Sequence, residues 1–266
     1  MRKSIYDLLS LKGKTALVTG GAGYLGSEIS YTLAELGANV IIASRDKAKC
    51  RKRCDEIREN VKLPIKTLAL ELDLLDKVSI KKCLENIHEQ FDAIDILVNN
   101  AWSGNKNSWE SIGDKDWEYD INMSLNSVFR FTKAAFEDLK KTRGVILNIA
   151  SMYGHIAPDY RIYEGTTFAN PPSYGAAKAG IIQFTKYLSS FLSPYGIRAN
   201  ALSPGAFPHE ETQKHNVFME RLSGKNPMNR IGYPEDLKGA VALLCSNAGQ
   251  YITGQNICVD GGWAAW

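Results

Sequence analysis

The sequence predicts an α/β fold, a doubly wound parallel sheet in a single domain, and three observations carry that expectation. Short apolar runs alternate with stretches of helical periodicity along almost the whole chain, and a parallel sheet covered on both faces is what buries such runs. A glycine-rich turn, Thr19-Gly20-Gly21-Ala22-Gly23-Tyr24-Leu25-Gly26, joins the first run to the first long helix. The 266 residues suffice for one large core, and no composition shift, linker or repeat marks a boundary.

Lys14 to Val18 form the first apolar run, and after the glycine turn Leu25, Ile29, Leu33 and Leu36 recur at helical spacing. Strand, glycine turn and helix in that order let the backbone approach a pyrophosphate, whose charge meets the free amides of the helix N-terminus. The turn is therefore Rossmann-type, with Gly20, Gly23, Tyr24, Leu25 and Gly26 as candidate cofactor contacts. The second strand, Asn39 to Ala43, ends at Ser44-Arg45. An acidic residue at that point bonds a ribose 2′-hydroxyl, whereas an arginine accommodates a 2′-phosphate, so Ser44 and Arg45 favour NADP(H) over NAD(H). In the alternative reading Arg45 faces solvent and Asp46 takes the ribose.

A charged helix from Asp46 to Asn60 leads to a third strand, Ile65 to Leu70, and to Asp73-Leu74 beyond it. Asp73 is placed to bond an adenine amino group, or else caps the helix that begins near Asp76. Ile94 to Val98 is a fourth strand, closed by Asn99-Asn100-Ala101-Trp102. Asp114 to Lys141 reads as one long helix with Asn122 inside it, where asparagine is locally disfavoured. Gly144 to Ile149 is the fifth strand, and Ser151 follows at the carboxyl edge, where doubly wound folds place their ligands.

Residues 155–171 form a long polar and aromatic loop, read as a substrate-loop insertion. The helix Ser173 to Ser193 then puts Tyr174 and Lys178 on one face, four residues apart. An ammonium beside a phenol favours the phenolate, which brings a hydroxyl that normally titrates near pH ~10 closer to neutrality. The strand Ile197 to Ala201, the turn Ser203-Pro204-Gly205, a basic segment over residues 206–230 read as a lid, the helix Pro234 to Ser246 and the strand Asn256 to Val259 complete the chain.

Composition narrows the function further. The net charge is only +3 and the densest basic run, Lys47 to Arg53, reads as a solvated helix face, so nucleic acid is not a partner. Five cysteines without a Cys-x-x-Cys pair and four scattered histidines make no metal site and suggest reduced thiols in the cytoplasm. No apolar stretch suits a signal peptide or a membrane span.

Taken together, Thr19-Gly20…Gly26, Asn99-Asn100-Ala101, Asn122, Ser151, Tyr174-x-x-x-Lys178, Ser203-Pro204-Gly205 and Ile252-Thr253-Gly254-Gln255…Val259-Asp260-Gly261-Gly262 resemble the short-chain dehydrogenase/reductase family nearly end to end. The resemblance implies a tetrad: Tyr174 exchanges a proton with the substrate oxygen, Lys178 assists it and binds the nicotinamide ribose, Ser151 orients the carbonyl or hydroxyl, and Asn122 holds a water that relays protons. It adds Asn100, Ala101, Pro204 and Gly205 to the cofactor contacts. Three departures stand out: Tyr24 replaces a glycine of the single-domain branch, Trp102 follows Asn-Asn-Ala where glycine is usual, and the interval from Ser151 to Tyr174 is long. By analogy the chain looks like members acting on sugars or polyols, some in surface-sugar biosynthesis. The expected activity is hydride transfer between NADP(H) and a secondary alcohol or ketone on a polar, sugar-derived small molecule. A nicotinamide-retaining epimerase or dehydratase, suggested by the glycine spacing, and a non-catalytic NADP(H)-binding protein are the alternatives. A homotetramer or homodimer through the two long helices is expected, with the Trp263 and Trp266 tail at a subunit contact.

Overall fold

Seven parallel strands form one sheet in the order β3-β2-β1-β4-β5-β6-β7, in a computed structural model that describes residues 2–265. Trp266 lies outside the described residues. The strands are β1 (Thr15–Thr19), β2 (Asn39–Ser44), β3 (Thr67–Glu71), β4 (Ile96–Asn99), β5 (Val145–Ile149), β6 (Arg198–Pro204) and β7 (Asn256–Val259). The order reverses between β1 and β4, which are neighbours, and this switch point opens a crevice at the strands' carboxyl ends.

Alternation along each strand splits the core into two layers. Ala16, Val18, Val40 and Ile42 face one cluster with Ile29, Leu33, Ile57, Val241 and Leu244. Those come from α2 (Tyr24–Glu35), α3 (Lys47–Asn60) and a C-terminal helix (Lys238–Cys245). Leu17, Ile41 and Leu97 face the other, with Ile80, Ile87, Phe131, Leu139 and Leu188. A short helix α1 (Ile5–Leu9) precedes the sheet and α4 (Lys77–His88) follows β3. A buried chain of amides, Asn99 Nδ2 to Asn148 Oδ1 at 2.8 Å and Asn148 Nδ2 to Thr185 Oγ1 at 2.9 Å, fixes β4, β5 and the helix after them in one register.

The long helix expected from Asp114 to Lys141 is broken. It comprises α5 (Asp114–Ile121), a π turn (Asn122–Asn126), α6 (Ser127–Ala134) and α7 (Phe136–Thr142). Side chains that bond within this stretch compete with the regular ladder: Asn126 Nδ2 donates to Asn122 Oδ1 at 2.8 Å, and Ser127 Oγ to the Met123 carbonyl at 2.6 Å. The helix α8 (Pro172–Leu192) opens with proline at its first position. The expected lid is partly helical, with α9 (Glu210–Gln213) and α10 (Asn216–Ser223), before α11 (Lys238–Cys245). The expected loop insertion contains one 3₁₀ turn, Tyr160–Tyr163.

Candidate active site

The first turn of α8 is pinned by a buried carboxylate. Ser173 Oγ donates to Asp120 Oδ2 at 2.6 Å, and Asp120 Oδ1 accepts the Asn105 amide at 2.9 Å. The strand-end loop carrying Trp102 and the helix carrying Tyr174 are thereby tied to one residue of α5. Tyr174 and Lys178 share the inner face of α8, as their spacing predicts. Lys178 is buried at 4% exposure, and its Nζ donates to the Ile149 carbonyl at 2.7 Å while lying 5.6 Å from the Tyr174 ring centroid.

The electrostatics differ from the expectation in one respect. Burial raises the Tyr174 phenol, with the hydrogen bond from Ser151 working the other way. Burial also lowers Lys178, to about 8. In the chain by itself the lysine does not depress the phenol, because both groups are desolvated and the ammonium is turned to Ile149. Ser151 is buried, and its Oγ accepts the Tyr153 amide at 3.2 Å.

Tyr174 and Lys178 stand at one end of a cleft of about 660 Å³ along the strands' carboxyl edge. Gly20, Gly23, Tyr24, Leu25 and Gly26 line it, as do Ser44, Arg45, Asp73, Leu74, Asn100, Ala101, Pro204 and Gly205. Asn122 is not among the lining residues. Its Oδ1 accepts from Asn126 Nδ2 at 2.8 Å and from Arg130 Nη2 at 3.2 Å.

The glycine turn fits a dinucleotide on steric grounds. Gly20 has φ +63, and a Cβ there would come 2.8 Å from Ala101 Cα; a Cβ at Gly26 would come 2.2 Å from the Gly20 carbonyl oxygen. The loop folds back on itself without side chains between its turns, leaving amides facing the cleft. Asn100 Nδ2 braces it by donating to the carbonyls of Thr19 and Gly20 at 3.0 and 3.1 Å. Tyr24, where a glycine was expected, is tolerated because it is the first residue of α2 and Gly23 takes the cap. Its ring packs at 4.5 Å on His209 of the lid segment.

At the β2 end the side chains sort themselves. Asp46 caps α3, accepting the Lys49 amide at 3.0 Å, and Arg45, Asp46 and Lys49 all line the cleft. Asp73 Oδ1 accepts the Leu75 amide at 2.9 Å, and Asp76 rather than Asp73 caps α4. Sequence reasoning missed Lys49, Met123, Phe207 and His209 as lining residues. Lys49, four positions after Arg45 at a helix start, was recoverable from its spacing. Phe207 and His209 reach the cleft through long-range packing, for which the sequence carries no local signal.

The lid cations are engaged within the protein. Lys214 pairs with Glu211, Arg221 donates to the Ile162 and Glu164 carbonyls, Lys225 pairs with Asp159, and Arg230 with Asp236. The Asp159 carboxyl is held far below its ordinary range by Arg161 and Lys225. The contacts of Arg221 and Lys225, with Phe168 stacked on Phe218 at 4.6 Å, bind the lid segment to residues 155–171 as one aromatic layer beside Tyr174. A cluster of three or more metal-ligating side chains does not occur among the described residues, nor does a helix long and apolar enough to cross a membrane.

Comparison with known proteins matches this geometry. A family profile described as enoyl-(acyl carrier protein) reductase matches residues 21–264. The 3-oxoacyl-[acyl-carrier-protein] reductase FabG of Aquifex aeolicus is 34% identical over 259 residues, covering 96% of this chain and 98% of that protein. The crystal structure of a short-chain type dehydrogenase/reductase from Mycobacterium marinum superposes with TM-score 0.88 at 29% identity, covering 98% and 99% of the two chains. A gluconate 5-dehydrogenase from Burkholderia cenocepacia, in complex with NADP and tartrate, superposes with TM-score 0.88 at 26% identity, covering 99% and 100%. The chain belongs to the short-chain dehydrogenase/reductase family of NAD(P)-dependent oxidoreductases.

Proposed function

We propose that the protein is an NADP(H)-preferring enzyme that interconverts a ketone and a secondary alcohol on a small, polar, sugar-derived substrate. The observation that carries this reading is the pairing of Tyr174 and Lys178 at one end of a cleft whose other end presents Arg45 and Lys49. When bound, the nicotinamide supplies or accepts the hydride. Tyr174 gives its proton to the substrate oxygen in reduction, and the buried Ser151 holds that oxygen in line. Lys178 fixes the ribose and supports the phenolate once it forms. Arg45 and Lys49 take the 2′-phosphate, with one oxygen of Asp46 engaged in capping α3. Residues 155–171 and the lid 206–230 enclose the substrate, and their tyrosines and backbone groups favour a hydroxylated molecule. The gluconate 5-dehydrogenase likeness supports that substrate class.

A second reading, reduction of a 3-oxoacyl thioester, is favoured by the likeness to FabG. Assay of keto-sugars, keto-aldonates and a 3-oxoacyl thioester with NADPH and NADH separates the two. Turnover of the thioester alone overturns the sugar reading. Full turnover by Tyr174→Phe on any reduced substrate overturns the mechanism.

The exposed aromatic face formed by Phe129 of α6 with Tyr187 and Phe191 of α8 supports pairing of two copies through these helices.

A further inference from the structure

We propose that Tyr24 and His209 are cofactor-holding residues: their paired rings bridge the two walls of the cleft and set the rate at which the nicotinamide nucleotide leaves. The inference rests on the reading of the cleft as the dinucleotide site, and it holds whatever the substrate is.

Tyr24 opens α2 directly after the glycine turn that follows β1, whereas His209 stands at the start of α9, beyond the end of β6. In the sheet β1 and β6 are separated by β4 and β5. Residues from the ends of those two intervening strands, Asn100, Ala101, Ile149 and Ala150, line the cleft together with Tyr24 and His209. The ring contact at 4.5 Å, with planes inclined by 38°, therefore joins opposite walls across the carboxyl edge.

Helix geometry accounts for the place of the Tyr24 ring. Side chains on a helix lean towards its N-terminus, and at the first helical residue that is where the free amides receive an anion. A glycine at this position would leave the wall bare. Burial raises the Tyr24 phenol, with the charges of Glu210 and Glu235 adding to it, so the ring stays neutral beside the phosphates of a nucleotide.

His209 has a fixed support. The Ala206 carbonyl accepts the Gly232 amide at 2.9 Å, the Pro208 carbonyl accepts Gln213 Nε2 at 2.9 Å, and the His209 carbonyl accepts the Gln213 amide at 3.0 Å. With the backbone held on both sides of the imidazole, the walls part by a turn of the two side chains rather than by a shift of the segment. The loss of their contact is then added to the barrier for release.

The test loads the full chain with NADPH, mixes it with excess NADP⁺ in a stopped-flow cell, and follows release by the loss of energy transfer from tryptophan to nicotinamide. Tyr24→Ala and His209→Ala should each speed release by roughly 3- to 10-fold, the range that an aromatic pair supplies. The double variant should be little faster than either single one, because both remove the same contact. Tyr24→Phe keeps the ring and should release at the parent rate. NADH should respond as NADPH does, which separates the ring pair from Arg45. Alanine variants that both release within about 1.5-fold of the parent, effects that multiply in the double variant, or a Tyr24→Phe as fast as Tyr24→Ala overturn the proposal. If the parent chain binds neither nucleotide, the reading of the cleft falls; if it binds them and the alanine variants release at its rate, only the ring pair loses its role.

Discussion

Trp102 stands edge-on to Tyr174, with ring centroids 5.3 Å apart and planes at 80°. Its ring rests on Gly104, where an added Cβ would come 3.0 Å from Trp102 Cζ2, and it is 41% exposed and lines the cleft. The indole therefore walls the space beside the proposed proton donor. Trp102→Gly is expected to raise kcat/KM for bulky ketones relative to small ones in a substrate panel. Loss of the edge-to-face contact, worth ~0.5–1.5 kcal/mol, should lower the melting temperature by a few degrees. A panel ratio that does not move would show that the substrate passes elsewhere.

Arg45 is exposed at the end of β2 and Lys49 follows it along the same cleft. If they hold a 2′-phosphate, Arg45→Ala removes a charged hydrogen bond worth ~1.5–3 kcal/mol, or roughly 10- to 100-fold in NADPH affinity. NADH affinity should stay nearly level. Lys49→Ala is expected to act in the same direction with a smaller effect, since an ammonium binds phosphate as a point charge. Titration of intrinsic fluorescence with both nucleotides measures each change, and equal weakening of the two would return the ribose to Asp46.

What the sequence made legible was local. Short apolar runs located every strand of the sheet to within a few residues, because each is closed by a turn signal. The β6 strand ran past its expected end at Ala201 to Pro204, since pairing with β7 outweighed the serine and proline. The π turn at Asn122 could not be read, because it arises from side chains bonding over a helical turn and changes the register of everything after it. The role of the lid was equally hidden: Lys225 and Arg221 look solvated in sequence, and only folding brings them to Asp159 and to the Ile162 and Glu164 carbonyls.

The aromatic face of α6 and α8 gives a prediction that does not depend on the chemistry. Tyr187 and Phe191 stack at 5.6 Å with planes within 9°, and each is 56% exposed. Substitution at such positions changes the stability of a lone chain by ~0.5 kcal/mol or less. The pair Tyr187→Glu and Phe191→Glu should therefore leave the circular dichroism spectrum unaltered while lowering the mass measured by light scattering to that of one chain. An unchanged mass would place any subunit contact on another surface.

The burial of Lys178 makes stability depend on pH in a defined direction. Desolvation lowers its pKa from 10.5 to about 8 in the folded chain, whereas the unfolded chain keeps the ordinary value near ~10.4. Between those two values the unfolded state binds more protons, so stability rises with pH across that window. Below about 8 both states are protonated and the full penalty of a buried ammonium remains; above the unfolded value it is gone. With Lys178 only 4% exposed, a lowering of that size corresponds to ~3 kcal/mol at most. Lys178→Met removes the titration, so in ligand-free protein the stability difference between variant and parent should shift by up to ~3 kcal/mol, in favour of the parent, as pH rises from about 8 to above 10. Urea midpoints measured along that range check it. A difference that stays constant would mean that water reaches the ammonium and that it keeps its ordinary pKa.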